Sequence, residues 1–573
     1  MTDLSKLQTF SGVDDISAPL RHAAFRYIWL ASLLSNLGIL IRGVGAAWAM
    51  TEMTSSADKV ALVQTALMLP GMLISLPAGA IADMYDRRLV TLVALSIALC
   101  GATALTGLAW LGLTTPNLLL ALCFLIGTGT ALMGPAWQSS VSEQVPTDAV
   151  PAAVTLDSIS FNIARSFGPA IGSVVVAISG AVAAFALSAL LYLPLMVALF
   201  LWKRVAEPSR LPREQLIRAI VSAVRYITNS PAIKIVLTRA MATGAIGGSI
   251  LALMPLVARD LLHSGAQSYG IMLGAFGFGA LVGALCIGEL RKRMSGEAAV
   301  RSCTLAMSGA IATLALSRQP VLTTTALVMA GAMWMMTFTL FDIGVQLSVP
   351  RWVAGRSLAV YQASYSGGIA VGCWGWGRLT DSTGVEIALL VAASLMPLSA
   401  LLGVWFRMPR ISALSECAEV LADPEVRLQL THRSGPLVVE IEYRIAPENA
   451  LAFHSVMLQV QLLRRRYGGY GWSIARDIAD PELWTERYHY PTWLDYLRQR
   501  NRSTQSERAL DHQAALSTLG WNPCESAACW SGRSALCAGR KTCPTALPTK
   551  SCRMIARVAG FNRADRPFAT LIR

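Results

Sequence analysis

The chain has 573 residues, 54% of them hydrophobic and only 14% charged, against roughly 25% charged in an ordinary soluble domain. A water-soluble globule could not hide that much apolar surface, which excludes a soluble fold for the whole chain. The formal charge of +14 raises the question of nucleic acid. However, the basic residues lie between apolar segments and in the last third, without interleaved aromatics, so they point to an anionic membrane surface and no nucleic acid partner is expected.

Residues 1–20 are polar and acidic and read as a cytoplasmic segment. The apolar segment after them is far too long for a signal h-region, so no removable signal is expected. A helix rises about 1.5 Å per residue, and a hydrocarbon core of about 30 Å therefore takes about 20 apolar residues. Twelve segments qualify: 25–50, 57–82, 89–113, 117–140, 152–178 and 181–202, then 236–259, 267–290, 298–317, 321–346, 356–377 and 385–406. The expectation is an all-α polytopic membrane protein with a six-helix half over 21–203, a basic cytoplasmic connector over 204–234 and a second six-helix half over 235–408. The lipid bilayer is its solvent.

Orientation follows from lysine and arginine in the short loops. Arg21, Arg26, Arg87, Arg88, the connector, Arg291 to Arg293, Arg351, Arg356, Arg407 and Arg410 share one side, while the turns at Thr114 to Pro116 and at Ser179-Gly180 carry no basic residue. The basic side is read as cytoplasmic, with both termini inside a plasma membrane. The halves also echo each other, as parallel repeats do: Gln138 to Val145-Pro146 leads into the fifth span, and Gln346 to Val349-Pro350 into the eleventh.

Past Arg410 the pattern changes. Strands are expected over Val438–Arg444, Gly471–Asp477 and Trp484–Tyr490, with helices over Pro447–Arg466 and Trp493–Arg500. Together these make a small soluble α+β domain over 409–512. Periodicity then ends, and 513–573 reads as a disordered tail, or as the product of a reading frame not under selection. Its cysteines Cys524, Cys529, Cys537, Cys543 and Cys552 match no paired zinc knuckle, so no metal is expected. Cys100, Cys123, Cys286, Cys303 and Cys373 are isolated in apolar segments and give no disulfide framework.

Ionisable residues inside hydrocarbon are expensive and mark function. Arg42, Asp157, Arg165 and Asp342 qualify as a substrate or proton pathway. Asp157 and Arg165 lie about 80° apart around one helix and about 12 Å apart along it, so both can face a central cavity without pairing directly. The bland readings are that Asp157 neutralises Arg42 or Arg165 across the bundle, and that Asp342 is solvated near the helix end. Asn36, Gln64 and Asn162 read more simply as interhelical glue. No GxxxxGK[ST] loop occurs, which argues against a nucleotide-driven pump and for an ion gradient. A proton fits best, because one buried carboxylate can carry it; no cofactor is expected.

Two runs carry a resemblance. Gly79-Ala-Ile-Ala-Asp83-Met-Tyr-Asp86-Arg87-Arg88 resembles the major facilitator loop motif, with Asp86 where that family favours glycine. Arg165-Ser-Phe-Gly168-Pro169-Ala-Ile-Gly172 resembles the fifth-helix motif of proton-coupled exporters, with Ala164 and Ser173 replacing its outer glycines. With Phe25-Arg26-Tyr27-Ile28-Trp29-Leu30 and Ser35-Asn36-Leu37-Gly38, residues 20–408 resemble the transmembrane secretion effectors, a subgroup that includes enterobactin and macrolide exporters. The resemblance implies a major facilitator fold and export of a small organic molecule by proton antiport. It implies a conformational switch at Gly79, Asp83, Arg87, Arg88 and Arg356, with Asp83 near the positive N-terminus of span eleven. Gly168, Pro169 and Gly172 are implied as a helix-packing motif, with a bend at Pro169. The α+β domain resembles the ferredoxin-like extension of antibiotic-biosynthesis monooxygenase type, through Glu440 to Arg444, Arg464 to Arg466, Gly471 to Asp477 and Tyr488 to Trp493. That likeness implies dimerisation through the domain. His454 and His489 are isolated and form no catalytic constellation. The competing reading is a membrane-anchored enzyme or ligand sensor acting through this domain.

Overall fold

The computed structural model describes residues 17–146, 149–202, 216–408, 431, 433–502, 510–511, 513–514 and 557–558. Residues 1–16, residues 204–215 of the polar connector and the tail cysteines lie outside the described residues. The chain divides into two compact units, one of Met1–Ile220, Ala232–Ser348 and Ala354–Arg410, the other of Val221–Pro231, Val349–Val353 and Ile411–Arg573.

The first unit is helical, and the helices up to residue 405 are α1 Ala23–Met53, α2 Ala57–Met84, α3 Arg87–Trp110, α4 Pro116–Val141, α5 Val150–Leu201, α6 Leu216–Thr228, α7 Pro231–Leu256, α8 Ala266–Arg293, α9 Gly296–Leu316, α10 Pro320–Leu347, α11 Arg351–Thr383 and α12 Val385–Trp405; residues 221–228 of α6, 231 of α7 and 351–353 of α11 belong to the second unit. Among the described residues, ten helical stretches are long and apolar enough to cross a membrane. One of these is the long α5, which breaks at Gly180, where φ is +76°. Only glycine takes that torsion without strain. The 33-residue α11 stands outside the ten; it carries Arg351, Arg356, Arg378 and Asp381.

The helix ends follow from local chemistry. Thr115 caps α4 through its Oγ1, with Pro116 in the first turn, and Ser295 caps α9 in the same way. Asp86 caps α3, accepting from the Arg88 N–H at 2.9 Å with φ −64°. A residue with negative φ and a capping carboxylate serves this turn directly, so the turn does not need the glycine that the family favours. Within the spans, hydroxyls such as Thr91, Thr106 and Thr304 donate to carbonyls one turn back, which satisfies them where no water is available.

The second unit holds a small antiparallel sheet with two helices. β1 Leu437–Arg444, α13 Ala450–Arg466, β2 Tyr470–Arg476, β3 Leu483–Tyr490 and α14 Trp493–Arg502 follow in order, and a short β4 Arg557–Val558 completes the strand order β2-β3-β1-β4. α13 begins after a 3₁₀ turn, Pro447–Asn449, rather than at Pro447 itself. Alternate residues of β1 turn inward: Leu437, Val439 and Tyr443 are buried. Tyr443, Phe453, Val456, Met457 and Val460 pack together with Trp472, Ile474 and Trp484 at one end of the sheet. Leu437, Val439, Tyr488, Tyr490, Trp493 and Tyr496 pack at the other.

A buried charge network crosses the first of these cores. Glu486, fully buried, accepts from Tyr443 Oη at 3.0 Å, Trp472 Nε1 at 2.9 Å and Arg464 Nε at 3.1 Å. Arg464 also donates to Asp511 at 3.0 Å and lies over the Tyr488 ring. Burial alone would lower the Arg464 pKa, yet the Asp511 and Glu486 carboxylates hold it well above its usual range. Burial, with the Glu486 charge beside it, pushes the Tyr443 hydroxyl well above its usual range.

Candidate functional site

The α5 helix positions most of the predicted site. Its Gly168 and Gly172 meet α1 of the same half. A Cβ on Gly168 would lie 2.9 Å from Leu40 Cβ, and one on Gly172 would lie 2.9 Å from Ile41 Cα. Such backbone approach supplies van der Waals contact where lipid gives no hydrophobic drive. α5 keeps helical torsions through Pro169 and departs from them at Gly180. On another side α5 meets α8. A Cβ on Gly277 would come closer than 3.0 Å to the Arg165 carbonyl oxygen, and one on Gly270 would collide with Ser173. These α8 glycines went unnoticed in the sequence, although a stripe at 270, 274 and 277 is the visible signal.

The Arg165 side chain, half-buried, leaves its own half. Its guanidinium lies 6.0 Å from the Phe276 ring centroid on α8, and its Nη1 is 3.9 Å from Met335 Sδ on α10. Tyr365 of α11 is within electrostatic reach. Behind them stands an aromatic cluster: Trp334 and Phe338 rings are 4.7 Å apart, Phe338 and Tyr365 rings 4.7 Å, and Phe276 and Trp334 rings 6.1 Å. Among the described residues Arg165 has no carboxylate partner.

Asp157, half-buried on α5, accepts from Trp137 Nε1 of α4 at 3.0 Å, and this is its bond in place of either arginine. Arg42 on α1 is 2% exposed, and its Nε and Nη1 have no hydrogen-bond partner among the described residues. The contacts of Gly168 with Leu37 and Leu40 put Arg165 level with Leu37, so Arg42 sits about 7.5 Å farther along the parallel α1. Asp342, half-buried on α10, accepts from Gln346 Nε2 one turn on at 2.9 Å.

The loop run divides. Gly79 on α2 faces α11, where its Cβ would lie 3.3 Å from Ala359 Cβ. The two helices are antiparallel, so Asp83, one turn beyond Gly79, comes level with Arg356, one turn before Ala359; the Asp83 side chain lies outside the described residues. Arg87 and Arg88 turn inward to their own half. Arg87 Nη1 pairs with Glu143 at 2.7 Å and donates to the Ser139 carbonyl. Arg88 donates to the Phe200 carbonyl at 2.5 Å. The structure therefore brings Gly79, and the backbone of Asp83, to the other half but not the two arginines.

At the weakly charged end the halves meet through residues that the sequence reading passed over. The Asp381 carboxylate caps α2, accepting from the Ala57 N–H at 2.6 Å, the Asp58 N–H at 3.2 Å and Ser56 Oγ at 3.0 Å. Trp48 stacks on Tyr269 at 6.3 Å. Arg259 Nη1 reaches the Thr51 and Thr54 carbonyls at 3.5 Å. Another residue passed over, Arg239, is 2% exposed and pairs with Glu297 at 2.6 Å, tying α7 to α9 within the second half.

Residues 15–528 match the family model described as transmembrane secretion effector. The chain belongs to that family. It is a transmembrane transporter of the major facilitator type and not an enzyme. It is similar to the multidrug efflux pump Tap of Mycobacterium tuberculosis (strain ATCC 25618 / H37Rv), with 25% identity over 403 residues, covering 68% of this chain and 94% of Tap. It is also similar to the enterobactin exporter EntS of Shigella flexneri, with 26% identity over 357 residues, covering 61% of this chain and 83% of EntS. Among solved structures it shares the fold of a bacterial homologue of the human lysosomal transporter Spinster in an inward-facing, unoccupied conformation. That match has a TM-score of 0.51 at 13% identity and covers 69% of this chain and all of the other.

Proposed function

We propose that the protein exports a small organic molecule, drug-like or siderophore-like, across the plasma membrane in exchange for protons. Support for the direction and the substrate class comes from the relatives named as an efflux pump and an exporter. In this reading the ten spanning stretches become twelve when α5 counts twice across Gly180 and α11 is added. The basic end is then cytoplasmic, with both termini inside. The second unit reads as a ferredoxin-like domain, since its element order is βαββαβ.

The observation that carries the mechanism is Arg165, a fixed cation from one half that reaches an aromatic wall in the other, with no carboxylate among the described residues to neutralise it. A guanidinium cannot release its proton at physiological pH, so it is suited to hold an anionic or strongly polar substrate group and not to carry protons. Asp157, eight residues before it on the same helix, has one bond to an indole N–H and can exchange a proton. Alternating access then has the halves rock about the α5–α8 and α2–α11 seams. Gly79, Asp83 and Arg356 bias one state at the basic end, and Asp381 holds α2 at the other end. Arg87 and Arg88 anchor the loop within its own half, and Asp342 is a second candidate for the proton path.

Asp157→Asn tests the coupling, because an amide does not titrate in the relevant range. Export by the variant is expected to persist down a substrate gradient but to lose its sensitivity to a protonophore. Unchanged collapse of export on adding protonophore would move the coupling role away from Asp157.

A further inference from the structure

The connector between the two halves ends in a stretch that the C-terminal domain grips. In α6, Ala223, Tyr226 and Ile227, with Ser230 just beyond, are buried at the spacing of one helix face, while Val221 and Val224 are exposed. Tyr226 meets Tyr467, at the end of α13, edge to face with ring centroids 6.1 Å apart. Arg466 Nε donates to the Asn229 carbonyl at 2.9 Å. Gly468, at φ +96°, lies against the Arg225 guanidinium, and a Cβ there would come within 2.5 Å of Nη2. Burial disfavours the Arg225 charge, and Asp495 of α14 with Tyr490 of β3 favours it. Aromatic, hydrogen-bonding and charge contacts from α13, its following turn, β3 and α14 thus converge on Arg225, Tyr226 and Asn229, within a stretch of five connector residues. All of them lie inside one compact unit, which also takes in Val349–Val353, the turn between α10 and α11.

We propose that the C-terminal domain is a docking module for the chain's own connector, seated on residues 225–229, and that this seat couples the domain to the transport cycle. The two segments it takes from the transporter part of the chain are the joint between the halves and the turn that leads into α11. Pro231 opens α7 two residues after Asn229, so holding Asn229 restrains the start of the second half. Rocking of one half against the other must move or strain this joint, and a domain that grips it changes the balance between states. The coupling rests on the alternating-access reading, whereas the docking does not.

The test uses the full-length protein with Arg466→Ala combined with Tyr467→Ala, read by hydrogen exchange of the connector amides and by export at matched abundance. The expected result is connector exchange at least 10-fold faster, unchanged exchange in β1 and β3, and an export rate altered at least 3-fold. Unchanged connector exchange would overturn the docking. Faster connector exchange with wild-type export would overturn the coupling. If β1 and β3 also exchange faster in the double variant, Arg466→Ala alone carries the test, since it removes the bond to Asn229 and Arg466 belongs to neither sheet core. Should the wild-type chain export nothing, the transport reading fails, and the exchange measurement still decides the docking.

Discussion

Replacing Gly277 by alanine perturbs the seam between the halves at one atom. The added Cβ falls closer than 3.0 Å to the Arg165 carbonyl oxygen, whereas even a weak C–H···O contact needs about 3.3–3.6 Å. α5 and α8 must therefore separate by about half an ångström or more, and overpacking of this kind costs about 1–3 kcal/mol. Alanine's better helix propensity acts on α8 in both states and drops out of the difference, so the state with α5 and α8 in contact loses about 1–3 kcal/mol. At 1.4 kcal/mol per tenfold, its population falls by about 5-fold to about 140-fold relative to the state in which they part. The assay is the labelling rate of single cysteines at the two ends of α5 and α8, measured beside export. Labelling should rise at the weakly charged end, with normal membrane abundance. Gly288→Ala, on the same helix with nothing within 4 Å of its Cβ, is the control and should be neutral. Gly279→Ala instead strikes Val328 inside one half and should lower the amount of folded protein. If Gly277→Ala labels like wild type, or only loses abundance as Gly279→Ala does, the seam is not where the halves move.

Arg165→Ala should abolish export and Arg165→Lys impair it several-fold, both at normal membrane abundance, because no carboxylate among the described residues is left unpaired; falling abundance would mark the residue as structural. Arg239→Ala removes the buried partner of Glu297, which keeps Arg301 at 2.9 Å and the Met408 N–H at 2.9 Å; losing the charge-assisted bond costs about 1.5–3 kcal/mol, so membrane abundance should drop while export per molecule of surviving protein stays near wild type. In the C-terminal domain burial pushes the hydroxyls of Tyr443 and Tyr488 well above their usual range. Each stabilises the fold fully below the unfolded value of about 10, and that contribution is lost as pH rises past it. Protease resistance of the domain in the full-length protein should therefore fall above about pH 10, and Tyr488→Phe should flatten the fall.

The bilayer class and the span limits were legible because length and hydropathy alone set them: the segment read at 25–50 is α1 at Ala23–Met53, and that at 385–406 is α12 at Val385–Trp405. The strands at 438–444 and 484–490 were legible from alternation in the same way. What the sequence could not give was pairing. Asp157 and Arg165 stood out as charges in apolar runs, but the choice of Trp137 for Asp157 depends on how α4 is rotated against α5, which local pattern does not encode. Asp381 falls between the expected spans 356–377 and 385–406, and only the start of α2 beneath it reveals its capping role. Arg239 was passed over because it follows a basic connector, and only the packing of α7 on α9 buries it. The break at Gly180 was visible as a turn.

The most direct test of proton-coupled export is substrate-induced proton flux in everted membrane vesicles from an efflux-deficient host, with a preformed acidic interior and a panel of drug-like and siderophore-like compounds. The account predicts that at least one compound discharges the gradient in vesicles carrying the wild-type chain, and not in vesicles carrying Asp157→Asn or Arg165→Ala at equal abundance. A compound transported by the wild-type chain with no movement of the gradient, or a discharge that both variants reproduce in full, would contradict it.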